Sequence, residues 1–508
     1  MNPIPVEPPL SQFEEAYRRG QPQVVWAELV SDLETPVSAM LKVADGQPFS
    51  FLLESVEGGT FRGRYSFIGI KPDLIWRCFG DRAEINRQAL SDATAFLPCP
   101  VGELSGALAS LRALIAECKV DLPPRLPPMA AGLVGYLGYD MVRLMEKLPD
   151  ANPDVLGLPD GLFIRPTVVA VFDNVEDSIT VITPVWPNKD ISGDVAYDHA
   201  HKRVAGTVAE LGRSLGNRQS TRINPGPSLA PTSNISRERY HEIVEIAKEY
   251  IIAGDIFQVV PSQRFKVPFK LPPFSLYRAL RRLNPSPFLF FLDFGQFAVV
   301  GSSPEIMVRM RSGKVTIRPI AGTRPRGNTA EEDNALADEL LADPKERAEH
   351  LMLLDLGRND VGRVAKVGTV RVTEQMIIER YSHVMHIVSN VEGELDPKYD
   401  AISALIAGFP AGTVSGAPKV RAMEIIDELE PERRGIYGGC IGYIGANGDM
   451  DTCIALRTAI VKDGQLFVQA GGGVVADSIP ELEYQESRNK ARALLRAAEQ
   501  AGRFFVDG

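Results

Sequence analysis

Apolar and polar positions along the chain change period several times, and each change marks an element. Two β-rich runs, 167–172 and 179–183, flank the polar stretch DNVEDS and predict a hairpin, so antiparallel sheet is expected in the first half. Later, Tyr240, Val244, Ala247 and Ile251 recur at helical spacing and Gly254 supplies a stop, which predicts a helix over about 237–252. Two further hairpins can be registered, because a two-residue loop fixes which residues face each other. Around Asp463-Gly464, the strands CIALRTAIVK and QLFVQAGGG pair with Arg457 opposite Ala470, beside Gly471, Gly472 and Gly473. Around Ser312-Gly313, EIMVRMR and KVTIRPIAGT pair with Glu305 opposite Ile320, close to Ala321, Gly322 and Thr323. Taken singly, either hairpin also reads as sheet glycines and surface charge.

Between these halves the pattern lapses. In 212–233 aromatic residues vanish while Gly, Pro, Ser and Asn accumulate, which predicts a linker between an N-terminal region, 1–211, and a second region, 234–508. A chain of 508 residues exceeds what one core normally organises, so two lobes or one large composite domain are expected. The 44% apolar and 24% charged fractions exclude disorder and coiled coil. Net charge of −10 argues against nucleic acid and anionic membrane as partners, and an anionic substrate would need local cations or a metal. The five cysteines are scattered without metal-binding spacing, as in a reduced cytoplasmic protein. The first residues lack an apolar signal core and no run of eighteen apolar residues occurs, so neither secretion nor membrane spanning is expected.

Carboxylates recur in pairs. Asp343-Pro344-Lys345-Glu346 predicts a helix start with aspartate as N-cap, after which Glu346, Glu349 and Leu353 share a face. Ser478-Ile479-Pro480-Glu481 predicts another, carrying Glu483, Glu486 and Lys490 on one face. Two helices each presenting E-x-x-E can hold a hard cation such as Mg²⁺, with Lys490 suited to an anionic substrate. Solvated surface charge is the alternative for each pair alone. The loop Ala411–Ala417 precedes a helix over 418–429 and offers backbone N–H groups to an anion, without matching a nucleotide P-loop. His386 lies on a run of imperfect alternation, where a satisfied core histidine is the commoner case.

Taken in chain order, GDIFQVVPSQRF (254–265), GSSPE (301–305), RPIAGTRPRG (318–327), ERAEHLMLLDLGRND (346–360), YSHVMHIVS (381–389), PAGTVSGAPKVRAMEIIDELE (410–430), IYGG (436–439), IALRTA (454–459) and QAGGGVVADSIPELEYQESRNKA (469–491) resemble the chorismate-utilising enzymes. FSFLLESVEGG (49–59), RYSFIG (64–69) and GLVGYLGYD (132–140) resemble the anthranilate synthase large-subunit branch of that family. The resemblance implies an α+β fold, a composite body of two packed antiparallel sheets surrounded by helices. It implies conversion of chorismate and ammonia to anthranilate and pyruvate.

By the same resemblance, Glu349 and Glu486 contact Mg²⁺ with Glu346 and Glu483 helping, and the metal grips the ring carboxylate. Tyr437, Arg457 and the Gly471, Gly472 and Gly473 backbone hold the enolpyruvyl carboxylate, while Gly322, Thr323 and Lys490 line the remaining site. Glu305 is the implied acid for the departing C4 hydroxyl, and His386, near Thr413, the implied base for the C2 proton. Relatives that make isochorismate or salicylate usually carry lysine at the position of Gln258, and aminodeoxychorismate synthases carry lysine at that of Ala321. Both residues here favour anthranilate formation; aminodeoxyisochorismate synthases share nearly all the motifs, and a non-catalytic amino-acid sensor is the alternative outside enzymes. No amidotransferase-like cysteine motif occurs, which implies ammonia from a separate glutamine amidotransferase subunit in a heterotetramer of two subunits of each kind. Tryptophan is the implied inhibitor, at Ser55 and the segment Pro287, Phe288 and Leu289.

Overall fold

The computed structural model describes residues 5–57, 61–215, 230–381 and 384–504. Residues 216–229, most of the expected linker, lie outside them. The strands form two antiparallel sheets that share two members, Tyr65–Phe79 and Gly161–Asp173. Their first and last stretches join a sheet that runs through Ser50–Glu54, Phe288–Asp293, Phe297–Ser303, Thr458–Lys462, Gln465–Gly471 and Ser262–Pro268. Their other ends join a second sheet through Gly132–Leu137, Cys440–Gly445, Met450–Ile454, Ile306–Arg311, Lys314–Ile317 and Val384–Glu394. The change of sheet falls where the ladder between the two long strands shifts register, between Pro72 and Leu74, next to Lys71 with φ of 52°. An irregularity of this kind bends a strand and sharpens its twist.

Most of the central strands are buried on both faces, which explains why several read as unbroken apolar runs. In Phe288–Asp293, Phe290 and Leu292 enter the core between the sheets, whereas Leu289 and Phe291 face the helices outside. Leu10–Arg18, Gly193–Leu211, Pro273–Leu283 and Pro480–Gln500 cover the first sheet through Phe13, Ala200, Tyr277 and Leu494. Ala107–Glu117, Pro344–Gly362 and Ala401–Gly408 cover the second through Leu111, Leu354 and Leu405. The expected α+β body of two packed sheets inside helices is the observed fold, and strands from before and after the linker share both sheets.

The hairpin over 167–183 forms, with Phe172 opposite Ile179, and the helix expected over 237–252 spans Arg237–Ala253 with Gly254 left-handed behind it. Both two-residue turns are present, pairing Arg311 with Lys314 and Lys462 with Gln465. Neither ladder reaches as far as the extrapolated register. The first ends at Arg309 and Thr316: Lys314–Ile317 and Ile320–Pro325 both run along Val384–Glu394, and only Lys314–Ile317 also keeps Ile306–Arg311 as a neighbour. The second ends at Ala459 and Val468: Arg457 turns away with φ of 48°, and Ala470 pairs with Gln263 instead.

Phe51 sits opposite Gly69, whose absent side chain makes room for the ring: a Cβ there would meet Phe51 Cε1 at 2.1 Å. Phe51 is wholly buried between the sheets. Phe51→Ala is expected to cost about 3–5 kcal/mol, read as a lower urea midpoint.

Candidate active site

Asp343 caps the helix Pro344–Gly362, accepting from the Lys345 and Glu346 N–H groups at 3.0 and 3.3 Å, so Glu346 and Glu349 start on one fixed turn. Opposite stands Pro480–Gln500, whose N-cap is Ile479 and not the expected Ser478. The Ser478 hydroxyl is engaged elsewhere, donating to Glu483 Oε1 at 2.7 Å. Glu483 Oε2 is buried without a hydrogen-bond partner. Gln258 donates to Glu349 Oε1 at 3.2 Å, and Lys490 bridges Glu486 at 2.7 Å and the Gly471 carbonyl at 3.0 Å. Gly472 and Gly473 admit these groups closely: a Cβ on the first would meet Glu483 Oε2 at 2.8 Å, and on the second Gln258 Nε2 at 2.4 Å.

Burial raises the pKa of Glu349, the Gln258 amide opposes this, and the fields of Glu346 and Glu486 add to it against Lys490. Burial likewise raises Glu483, with Ser478 opposing and Glu486 adding. The four glutamates therefore occupy one shared field. Among the described residues no three such side chains close into a complete metal cage. Two facing carboxylate pairs with an orphaned oxygen nevertheless fit Mg²⁺, which is usually bound through one or two carboxylates plus water and substrate oxygens.

A second cluster adjoins the first through Gly322, which is left-handed with φ of 71° and whose Cβ would lie 3.1 Å from Glu346 Oε2. The His386 ring nitrogen Nδ1 is 2.8 Å from the Gly322 carbonyl and 3.1 Å from the Thr323 hydroxyl. A carbonyl only accepts, so Nδ1 carries the proton and Nε2 keeps a free lone pair in the neutral ring. Burial is the main reason the His386 pKa falls to about 4, the Gly322 carbonyl opposing and Arg457 adding. Burial pushes Glu305 up to about 8 against the Thr413 hydroxyl, the Ile320 N–H and Arg457, all of which favour its charged form. Thr413 lies beside that carboxyl without the alignment of a hydrogen bond. At neutral pH the cleft thus presents a protonated carboxyl and a neutral imidazole, with Arg457 close to both.

Although its register with Ile320 does not form, Glu305 does lie against the Ile320 amide. The Tyr437 hydroxyl, driven up to about 12 chiefly by burial, lies beside the Gly471 amide. The loop Ala411–Ala417 is not the open anion cradle expected: Val414 and Ser415 donate to Ala411 and Gly412 carbonyls, and Gly416–Ala417 pairs with Gln258–Val259. Ser55, Pro287, Phe288 and Leu289 all line one cavity of about 590 Å³, away from the carboxylate pairs. Pro304, Ile320 and Tyr381 line it too, and the Tyr381 ring stands edge-on to His386 at 5.5 Å between centroids. Sequence reasoning missed Tyr381 and Arg434, whose contacts arise only in three dimensions; the tyrosine's place directly before SHVMH was the one available signal.

Residues 73–496 match the model of the chorismate binding enzyme family. The chain belongs to that family. Within it, the chain is 61% identical over 494 residues to the anthranilate synthase component 1 of Cereibacter sphaeroides, covering 97% of each. The crystal structure of anthranilate synthase component I from Streptococcus pneumoniae superposes with a TM-score of 0.74 at 38% identity, over 85% of this chain and 92% of that one. The menaquinone-specific isochorismate synthase of Escherichia coli shares the fold at 20% identity, with a TM-score of 0.67 over 97% of this chain and 100% of its own. Fold and relatives together set this enzyme in the anthranilate synthase component 1 branch.

The raised pKa of Glu305 has a consequence for stability. The unfolded chain ionises this carboxyl from about pH 4.5 and the folded chain only near 8, so its contribution is whole below the first value and is lost as pH rises towards the second. Glu305→Gln cannot ionise. Its thermal midpoint should therefore rise relative to wild type as pH increases between those limits, and a constant difference would contradict the shifted pKa.

Proposed function

We propose that this enzyme converts chorismate and ammonia to anthranilate and pyruvate, with Glu305 as acid and His386 as base. The supporting observation is the pairing in one cleft of a carboxyl held protonated with an imidazole held neutral and its Nε2 free. Glu305 gives its proton to the leaving C4 hydroxyl as ammonia adds at C2, and Nε2 of His386 then takes the C2 proton as pyruvate leaves. Thr413 stands beside the acid, and Arg457, Tyr437 and the Gly471–Gly473 backbone receive the enolpyruvyl carboxylate. Gly322 and Thr323 line the ring, and Lys490 balances the charge of the glutamates. Glu349 and Glu486, helped by Glu346 and Glu483, would hold Mg²⁺, which would supply a positive centre for the ring carboxylate of a dianionic substrate. The residue beside Glu349 is an amide, Gln258, which cannot serve as a base for water, and this favours amination over hydroxylation.

Ammonia comes from a separate glutamine amidotransferase subunit in a heterotetramer of two large and two small subunits; the name component 1 carried by the relatives fits such a partner. The enzyme acts in the cytoplasm, consistent with five buried free cysteines. Among the described residues no helix is long and apolar enough to cross a membrane.

Mixing the purified chain with chorismate, Mg²⁺ and ammonium salt should yield anthranilate fluorescence, with product mass distinguishing anthranilate from aminodeoxyisochorismate. Glu349→Gln and Glu486→Gln each remove a hard anionic ligand at nearly constant size. Both should lose turnover, and Mg²⁺ should no longer raise their thermal midpoints as it does that of wild type.

Tryptophan inhibits this enzyme from the cavity at Ser55, Pro287, Phe288 and Leu289. The shared Tyr381 and Ile320 give its occupant a route to His386 and Glu305. A typical coupling between two sites is about 1–3 kcal/mol. Ser55→Phe should fill part of the cavity and shift the tryptophan inhibition curve by roughly tenfold or more with turnover retained; an unshifted curve would remove the site.

A further inference from the structure

Arg434 is 2% exposed, and nothing in the reaction above uses it. Its guanidinium donates to the Val414 carbonyl at 2.6 Å, to the Val260 carbonyl at 2.7 Å, and to both oxygens of Glu430 at 2.6 and 2.9 Å. Its plane lies near two aromatic rings, 4.7 Å from the Tyr139 centroid and 5.5 Å from that of Tyr437. Glu430 in turn accepts from the Ser262 amide at 2.7 Å and hydroxyl at 2.8 Å. Four chain segments, those of Val260, Val414, Tyr437 and Tyr139, thus meet at one buried cation. Val414 follows Thr413, Val260 follows Gln258 by two residues, and Tyr139 comes from the N-terminal region.

Such a charge is costly to bury and is tolerated only when its hydrogen bonds are nearly complete. A planar fork that points in fixed directions suits this task, and a lysine would not reproduce it. The stabilisation alone does not require two flanking tyrosines, one of which faces the proposed substrate carboxylate.

We propose that Arg434 is a positioning residue that fixes the Tyr437 ring, and through it the grip on the enolpyruvyl carboxylate of chorismate. The inference rests on the reading of Tyr437 as a substrate contact. Arg434 itself touches no substrate atom.

The test uses the full-length chain with ammonium salt as nitrogen donor, and compares Arg434→Lys, Tyr437→Phe and the double variant by KM for chorismate, KM for ammonia, kcat and thermal midpoint. Arg434→Lys should raise KM for chorismate roughly tenfold or more, since displacement of a binding group by about an ångström weighs that heavily. KM for ammonia should stay within about twofold. The double variant should bind chorismate no worse than the weaker single, because both changes act at one point. A folded Arg434→Lys with lowered midpoint and unchanged KM would reduce Arg434 to a structural role. Multiplying effects in the double variant would overturn the route through Tyr437. If Tyr437→Phe leaves KM unchanged while Arg434→Lys raises it, the Tyr437 substrate contact falls and this proposal with it. Should Arg434→Lys not fold, Glu430→Gln loosens the guanidinium without removing it, and the same KM rise is required of it.

Discussion

Withdrawal from water sets the protonation state of Glu305 and His386, the acid and base proposed above. Taking a carboxyl and an imidazole out of water disfavours the charged form of each, so the same cause holds one protonated and the other deprotonated. Arg457 lowers both pKa values, working against burial at Glu305 and with it at His386, and burial outweighs it at the acid. The burial of Glu305, beside the Ile320 amide, and of His386 is therefore what sets both states.

The glutamate cluster solves a different electrostatic problem within a few ångströms. There burial is compounded by like charge, and Lys490, Lys345, Gln258 and Ser478 moderate it, with Arg324 paired to Glu346 at 3.1 Å. On one side of the cleft Glu305 and His386 are thus themselves uncharged, with Arg457 beside them, and the other side is negative and complementary to a cation. Gly322 joins them: with no side chain and a left-handed backbone, it turns its carbonyl onto His386 while leaving space for Glu346.

Local signals in the sequence carried most of the secondary structure around the site. The aspartate cap before Pro344, the glycine behind Ala253 and the two-residue turns at 312–313 and 463–464 all depend on neighbours within a few positions, and all are present. Extrapolation from those turns failed after a few pairs, because a strand can lose one neighbour while keeping the other, as between Thr316 and Ile320, or a residue such as Arg457 can turn out of the ladder. Ser478 had the spacing of a cap, but its hydroxyl found a carboxylate from the next turn. Most of the site positions came from family motifs rather than periodicity. Tyr381 and Arg434 were illegible for a plain reason: one matters by facing a histidine ring and the other by gathering carbonyls from distant segments, and neither relation leaves a spacing behind.

The two long strands have a consequence for modularity. Tyr65–Phe79 and Gly161–Asp173 belong to the portion before the linker, yet each is a member of both sheets. A fragment beginning after the linker would leave Phe288–Asp293 and Cys440–Gly445 without their neighbours Ser50–Glu54 and Gly132–Leu137, exposing apolar edges that invite aggregation. The N-terminal portion is therefore no accessory that a lineage could shed or trade as a cassette. It and the catalytic portion are bound to be inherited as one folding unit, and a gene split at the linker would work only if its two products reassembled strand by strand.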